Sequence, residues 1–364
     1  GAHVHAVCDV DRYHLQEAAD LVDDRNGPRP CLKFRDFREL NRCPELDAVF
    51  ISTPDHWHVL QAIDAMRCGK DVYVEKPLSL TVAQGRRLCD VVNETGRICQ
   101  TGSQQRSSRE FRFACELIRN GRIGPMRRIE VRIPPNNRTC EPEWSPMPVP
   151  EHLDYDMWLG PAPARPYHEQ RCHYTFRFQS DYSGGQMTNW GAHTIDIVQW
   201  ALDADDTGPV EVSGSGTLPE TGLFDTADNV DVTWRYANDV ELHCATGRPP
   251  LTRFIGSQGS ITVRRGAIES DPEELARTPL PADAVRLYRS DDHCGNFLHC
   301  VRTRATPICP AETGHRVATI CHIGNIAIRL GRPLAWDPMA ERFIDDAGAN
   351  AMLTRPMRPP WSLA

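Results

Sequence analysis

Two segments that lie far apart in the chain contain side chains that could move a proton. Lys76 lies in Glu75-Lys-Pro77, directly after a short apolar run. His193 lies between Asn189 and Asp196, at spacings of i, i+4 and i+7. An imidazole can take a proton from a hydroxyl group, and an ammonium group can stabilise the negative charge that develops on its oxygen. The residue types therefore indicate acid–base chemistry at an alcohol or carbonyl group, if the fold brings the two segments together.

The segment around His193 is predicted to be a helix that starts near Asn189, after a break at Gly184-Gly185. The spacing of its polar residues places them on one helical face. Such a stripe is usually only a solvated face. Here the rest of the segment is apolar and includes Trp190, which favours a pocket lined by the histidine and its polar partners. Asp196, one turn further on, is expected to orient the imidazole, as carboxylates do for catalytic histidines generally.

Lys76 is positioned by two short apolar runs, residues 47–52 and 70–77, which flank an amphipathic segment. This pattern predicts a strand, a crossover helix and a parallel strand. Both runs end in a polar loop with proline, and ligands of open parallel sheets bind at the carboxyl ends of the strands. For Thr53 and Pro54, a purely structural role is as well supported by the sequence as contact with a cofactor. In that role they form a tight strand-to-helix connection, with Asp55 as the N-cap of the helix.

The chain opens with a valine-rich alternating stretch that ends in Asp9. An acidic residue at the end of the second strand of a dinucleotide-binding fold binds the adenosine ribose, and Asp9 fits that role. The first strand and its G-x-G-x-x-G turn are absent from these residues. Either about 30 upstream residues, the size of a strand-turn-helix unit, belong to the complete protein, or the chain binds a dinucleotide poorly. We expect the former.

The pattern of elements changes along the chain and predicts two domains, at 1–103 and 104–364. The first alternates short strands with helices, which is typical of a Rossmann-type α/β domain with a parallel sheet. The second has long strands in succession, which predict an α+β domain with a large, open, mostly antiparallel mixed sheet. The predicted strands of the second domain are 126–133, 209–217, 228–236, 239–246 and 259–264. The main predicted helices of the chain are 12–23, 81–96, 108–120, 293–304 and 314–330.

Composition excludes several classes of protein. The 364 residues are 40% hydrophobic and 25% charged, with a net charge of −8, and no apolar run approaches the ~20 residues of a membrane span. We therefore expect neither a nucleic-acid nor a membrane partner. The 14 cysteines form no C-x-x-C pair, so free thiols and a cytoplasmic location are predicted. The sequence leaves export of a longer precursor open, and it predicts no metal site.

Several motifs together resemble the Gfo/Idh/MocA oxidoreductases, the family of glucose-fructose oxidoreductase and inositol dehydrogenase. They are the loop Thr53-Pro-x-x-x-His58, the stretch Ala65-x-x-x-Gly69-Lys, the tripeptide Glu75-Lys-Pro77, and Gly184-Gly185 leading to the segment 189–196. The resemblance covers nearly the whole chain.

The resemblance implies a function for most of these motifs. It makes His193 the general acid/base beside Lys76, although family members carry aspartate where this chain has Asn189. It places the cofactor against Thr53, Pro54, His58, Glu75, Lys76 and Gln104, and the substrate against His193 and Trp158. The family's second domain commonly pairs subunits through one face of its sheet, so a homo-oligomer, a dimer or a tetramer, is expected.

The predicted function is an NAD(P)-dependent oxidoreductase that acts on a secondary alcohol or ketone of a sugar, cyclitol or related polyol. NAD is favoured, because Asp9 would repel a 2′-phosphate, whereas a nearby arginine, Arg12, keeps NADP possible. Two alternatives remain: a glycoside-cleaving enzyme with a tightly bound, recycled NAD, and a non-catalytic, sugar-sensing relative.

Overall fold

The N-terminal region alternates strands and helices, as predicted. The computed structural model describes residues 2–27 and 29–363. The elements of this region are β1 (Ala6–Cys8), α1 (Arg12–Asn26), β2 (Leu32–Phe34), α2 (Phe37–Asn41), β3 (Ala48–Ile51), α3 (Asp55–Arg67), β4 (Asp71–Val74), α4 (Val82–Thr95) and β5 (Cys99–Thr101). All of its strand pairs are parallel, which confirms the Rossmann-type sheet.

The parallel strands form two separate pieces. β1 pairs with β2, and β3, β4 and β5 pair in that order. Between the pieces lies a cavity of about 1560 Å³ that is lined by residues of both β1 and β3. The two strands therefore border the same cavity.

The helices of this region begin and end where side chains satisfy the free backbone groups. The carboxylate of Asp11 accepts a hydrogen bond from the Tyr13 backbone N–H and caps α1, and the Thr81 hydroxyl does the same for α4. α4 ends at Gly96, whose positive φ of 61° suits glycine at a helix C-terminus. α3 has Pro54 as its N-cap residue, without a side-chain cap bond, so the expectation that Asp55 caps this helix is wrong.

The C-terminal region is built on one mixed sheet of nine strands. Its elements are α5 (Arg109–Arg119), β6 (Met126–Ile133), α6 (Tyr155–Leu159), α7 (Gly185–Asn189), α8 (Gly191–Leu202), β7 (Glu211–Thr217), β8 (Asn229–Arg235), β9 (Glu241–Thr246), β10 (Leu251–Gly256), β11 (Ser260–Arg264), β12 (Ala267–Asp271), α9 (Glu274–Arg277), α10 (His293–Thr303), α11 (Ala311–Leu330), β13 (Leu334–Asp337), β14 (Arg342–Phe343) and α12 (Ala347–Ala351). The strand order is β12-β11-β10-β6-β9-β8-β7-β13-β14. Only β6 and β9 pair in parallel, so the mostly antiparallel sheet is confirmed.

The two faces of this sheet differ. α5, α8 and α11 pack on one face around a large apolar core that includes Ile129, Trp234 and Ile320. The other face carries charged side chains such as Glu130 and Arg253. A covering subunit on that charged face remains a prediction. Within the described residues, no helix is both long and apolar enough to cross a membrane.

A long connection between β6 and α7 folds back onto the N-terminal region. Tyr155, Trp158 and Tyr182 form a small separate core there, and Val10 packs against it. The backbone carbonyl of Trp158 accepts hydrogen bonds from the side chains of His56 and Trp57. This connection therefore joins the two regions beside the start of α3.

Candidate active site

The two segments that carry acid–base side chains meet in the structure. Lys76 Nζ donates hydrogen bonds to Asn189 Oδ1 at 2.9 Å and to the Asn189 backbone carbonyl at 3.1 Å. Lys76 follows β4, and Asn189 is the last residue of α7. The contact thus joins the carboxyl end of the parallel sheet to the helices of the second region, as predicted.

The environment of Lys76 is poor in water and rich in charge. Burial lowers the pKa of Lys76 from its ordinary value, while the carboxylates of Asp55 and Glu75 raise it again. Asn189 cannot neutralise the ammonium, but its amide oxygen fixes the direction in which Nζ points. Its own Nδ2 donates to Gln186 Oε1 at 3.0 Å. The lysine is therefore held in place from the helix side by a hydrogen-bonded pair of amides.

His193 is almost fully buried, with 6% of its surface exposed. Burial, together with the charges of Lys76 and Arg265, lowers the pKa of His193 well below its ordinary value. No described residue forms a hydrogen bond with its Nδ1. Both the burial and the nearby positive charges therefore favour the neutral imidazole, and its Nδ1 has no hydrogen-bond partner among the described residues.

The helix that carries His193, α8, begins at Gly191, which confirms the predicted start near Asn189. Asn189 itself is the last residue of a short preceding helix, α7, and the two helices are interrupted at Trp190. The expectation that Asn189 and His193 belong to one continuous helix is therefore wrong. Because of the interruption, Asn189 points to Lys76, whereas the next helix carries the imidazole.

Asp196 does not contact the imidazole in this structure. Both of its carboxylate oxygens accept hydrogen bonds from Arg106 Nε, at 2.8 and 3.0 Å. Arg106 also donates two hydrogen bonds of 2.7 Å to Asp205. Burial alone would lower the pKa of Arg106, but the two carboxylates raise it well above its ordinary value. Asp196 therefore belongs to a buried ion-pair network and does not orient His193 as expected. Nothing in the sequence indicated this network.

Gln105 holds the backbone of the histidine helix. Its Nε2 donates to the His193 carbonyl at 2.9 Å, and its Oε1 accepts from Arg265 Nε at 3.2 Å. Gln104, which was expected to lie near the nicotinamide, is an exposed residue at the start of the 3₁₀ turn Gln104–Ser107. The contact of Gln104 with the cofactor stays a prediction.

His58 ties together the loops that follow β3 and β4. Its two ring nitrogens lie 2.8 Å from the carbonyl oxygens of Thr53 and Pro77, and its side chain is buried. His58 therefore positions both loops, and its contact with the cofactor stays a prediction. The Thr53 hydroxyl donates to Gln61 Oε1 at 2.9 Å, which fixes the same loop from its other side.

The carboxylate of Glu75 packs against Gly102. A Cβ atom on Gly102 would lie 2.9 Å from the carboxylate atoms of Glu75. The carboxylate is also 3.3 Å from the Lys76 backbone N–H, which donates to it. Glu75 is thereby held at the carboxyl end of β4, next to the lysine.

Trp158 was expected to contact substrate, and its ring is largely used in packing. It stacks against Tyr155 with ring centroids 6.0 Å apart and contacts Tyr182 edge-to-face at 4.8 Å. Part of Trp158 also lines the large cavity. Its contact with substrate stays a prediction.

The cavity between β1 and β3 is where a dinucleotide would be held. Asp9 lines it from the end of β1, and Thr53 and Pro54 line it from the end of β3. Burial raises the pKa of the Asp9 carboxyl group, and its Oδ1 accepts from the Asp11 backbone N–H. Arg12 lies outside the cavity lining and donates to the Glu151 carbonyl instead.

Comparison with protein families assigns both regions. Residues 1–103 match the model of the oxidoreductase family with an NAD-binding Rossmann fold, and residues 138–363 match the C-terminal alpha/beta domain of the same family. The chain belongs to the Gfo/Idh/MocA oxidoreductase family. Its N-terminal domain is therefore an NAD-binding domain. The observed carboxylate at the end of β1 and the Thr53-Pro54 loop across the cavity fit the ribose and the nicotinamide side of such a cofactor.

The relatives of this Gfo/Idh/MocA chain are named for different activities. Glycosyl hydrolase family 109 protein 1 of Shewanella sp. (strain MR-4) is 32% identical over 129 residues, which are 35% of this chain and 28% of the relative. The chain thus matches less than a third of that curated relative. The WlbA dehydrogenase of Bordetella pertussis, solved with NADH and UDP-GlcNAcA, has a TM-score of 0.67 and 16% identity, over 91% of this chain and 90% of that one. Aldose-aldose oxidoreductase of Caulobacter crescentus has a TM-score of 0.68 and 17% identity, over 91% of both chains.

Asn189→Ala is expected to lower kcat by about tenfold, because Lys76 Nζ would lose the hydrogen-bond acceptor that directs it. Asn189→Asp keeps an acceptor at the same place and should retain at least the original activity. The measurement is kcat for both variants with one polyol that the original chain oxidises. Equal kcat values for the alanine variant and the original chain would show that the contact with Lys76 has no catalytic consequence.

Proposed function

We propose that this protein is an NAD(P)-dependent oxidoreductase that interconverts a secondary alcohol and a ketone on a sugar, cyclitol or related polyol. The observation that carries the proposal is the hydrogen bond of Lys76 to Asn189, which brings the lysine at the carboxyl end of the parallel sheet against the helix pair that carries the buried His193. The family assignment and the sugar-related activities named for several structural neighbours support the substrate class.

Each side chain of the site has its own role in the proposed reaction. In the oxidation direction, a ring nitrogen of His193 accepts the hydroxyl proton, for which the imidazole must be neutral. Lys76 Nζ donates a hydrogen bond to the same substrate oxygen and stabilises its developing negative charge. When bound, NAD supplies the hydride-transfer chemistry. Asn189 directs Nζ, and the polar residues of the loops after β3 and β4 hold the reacting groups at one end of the sheet.

A second candidate function rests on the family 109 relative. In a glycoside-cleaving enzyme with a recycled cofactor, Lys76 and His193 would do the same proton transfers, but no cofactor would be consumed. A panel of polyols with NAD, and a panel of nitrophenyl glycosides without added NAD, separates the two. The proposed dehydrogenase forms one NADH for each alcohol oxidised. Release of nitrophenol without net NADH formation would establish the glycosidase instead.

NAD is expected to bind more tightly than NADP, by about tenfold, because the Asp9 carboxylate at the end of β1 would lie near the added 2′-phosphate. Arg12, the residue that made NADP conceivable, is engaged with the Glu151 carbonyl. Fluorescence titration of the protein with both cofactors measures the ratio of dissociation constants. Asp9→Asn should reduce that ratio, whereas tighter binding of NADP by the original chain would overturn the assignment.

The same proposal includes a homo-oligomer, a dimer or a tetramer, formed through the charged face of the nine-stranded sheet. Acidic and basic side chains alternate there, as between Glu130 and Arg253, so a copy of the same face could offer complementary charges. Light scattering coupled to size-exclusion chromatography gives the mass, and an oligomer held by these charges would dissociate as salt is raised.

A further inference from the structure

A cluster of metal-ligating side chains lies at the start of α1, away from Lys76 and His193 but on the wall of the same cavity that Asp9 lines. One ligand atom of each of Asp11, His14 and His173 lies within 4.8 Å of the corresponding atoms of the other two. We call these three residues the Asp11 cluster. A fourth residue, His152, places its Nε2 3.5 Å from Asp11 Oδ2. The side chains come from three separate segments of the chain, so their convergence does not follow from a local sequence pattern.

The distances around Asp11 match those between ligands of one metal better than those of hydrogen bonds. Asp11 Oδ2 lies 3.6 Å from His173 Nε2 and 3.5 Å from His152 Nε2, whereas hydrogen bonds of this kind are usually about 2.7–3.2 Å. With metal–ligand bonds of about 2.0–2.1 Å, the ligands of a tetrahedral zinc ion lie roughly 3.4 Å apart. The other oxygen of Asp11 already accepts from the Tyr13 N–H, so one oxygen orients the carboxylate and the other is available.

The histidines are also held in place. The rings of His14 and His173 contact each other edge-to-face at 4.6 Å, and the ring of His152 stacks on Tyr13 at 4.3 Å. The Arg12 backbone N–H donates to the His152 carbonyl at 3.0 Å, which fixes that segment against the start of α1. His173 adopts a positive φ of 53°, a conformation uncommon for non-glycine residues and often found at ligand sites.

We propose that the Asp11 cluster binds a divalent transition metal ion, with zinc as the ion that best suits two imidazoles and one carboxylate. A water molecule or His152 would take the fourth position. Imidazoles ligate in their neutral form, and burial, followed by the charge of His14, lowers the pKa of His173. The function of the site is structural.

The bound ion would clamp the long connection between β6 and α7 onto the N-terminal domain. Asp11 and His14 belong to α1 and its cap, whereas His173 belongs to that connection. The same connection carries Trp158, whose carbonyl is hydrogen-bonded to the start of α3. A metal here therefore stabilises the junction of the two regions by its binding free energy.

The test uses the full chain after removal of metals with EDTA and dialysis, and Co²⁺ as the spectroscopic probe. We expect one equivalent of Co²⁺ to give the visible bands of a tetrahedral site with nitrogen and oxygen ligands, and Zn²⁺ to displace it and raise Tm. His14→Gln and His173→Asn should each weaken binding by at least about tenfold, the loss that removal of even an outer-sphere partner can cause. Asparagine is chosen at 173 because it tolerates a positive φ.

Two controls make the result specific. His243→Gln removes a histidine that pairs with a single carboxylate, Asp231, at 3.0 Å, and it should leave Co²⁺ binding unchanged. A second group of candidate ligands, His5, Cys43 and Glu45, is removed by Cys43→Ser, which should also leave binding unchanged. The proposal is overturned if Co²⁺ does not bind, if binding survives both His14→Gln and His173→Asn, or if a cobalt–thiolate band appears and disappears with Cys43→Ser.

Discussion

His193→Ala is expected to lower kcat for oxidation by about 10²- to 10⁴-fold, the usual contribution of a positioned general base. Burial and the nearby charge of Lys76 lower the pKa of the imidazole, which favours the neutral form that a general base needs. Alanine removes that acceptor and keeps a good helix former within α8. The measurement is kcat with one turned-over polyol, alongside thermal unfolding of the variant.

The pH dependence distinguishes loss of the base from general damage. In the original chain kcat/KM should stay level as pH falls from 8 through 6.5, and decrease only where His193 becomes protonated. His193→Ala should lose that acidic limb along with most of its activity. His243→Gln, a substitution on the sheet face opposite the helices, is the matched control and should change neither. Near-normal turnover by His193→Ala would show that another group takes the proton.

The pairing of Lys76 with the histidine segment was implied by the resemblance to the family, whereas local patterns sufficed to place each of the two on its own element. A short buried strand followed by a polar loop places Lys76 at the carboxyl end of a parallel sheet, and β4 is indeed fully buried. Five strands of the second sheet were also predictable from their alternation, whereas β10, β12, β13 and β14 were not predicted. The edge strand β12 contains no fully buried residue and has Ile268 as its one large apolar residue, which leaves little periodic signal.

The partners of the polar residues could not be predicted from spacing. The regular i, i+4, i+7 pattern assumed a continuous helix, and the interruption at Trp190 sends Asn189 to Lys76. Arg106 lies 90 residues before Asp196, and nothing in either local sequence indicates that they meet. Long-range ion pairs depend on how the helices pack, which a single sequence does not specify. Helical periodicity therefore located the site, but packing decided which side chain each polar residue contacts.

Arg106→Met is expected to lower the free energy of unfolding by about 3–5 kcal/mol, the usual cost of removing one partner from a buried ion pair. Arg106 is 1% exposed and donates to both Asp196 and Asp205, so its loss leaves Asp196 as an unpaired carboxylate inside the protein. Urea unfolding at pH 7 gives the change. A loss below about 1 kcal/mol, the range of surface pairs, would contradict a buried network.

Asp196→Asn decides between two roles for this carboxylate, because they predict different changes in kcat. If Asp196 oriented His193, the amide would lower kcat and alter its pH profile, as loss of a carboxylate partner does for catalytic histidines. The structure instead directs Asp196 to Arg106, which keeps Asp205 as its second partner. We therefore expect Asp196→Asn to be less stable than the original chain, with a smaller loss of stability than Arg106→Met causes. Its kcat per folded molecule should stay within about twofold of the original.

Asp205→Asn, at a carboxylate that is 34% exposed, is the matched control and should cost still less stability. A large fall in kcat for Asp196→Asn alone, with stability retained, would return this carboxylate to the catalytic site.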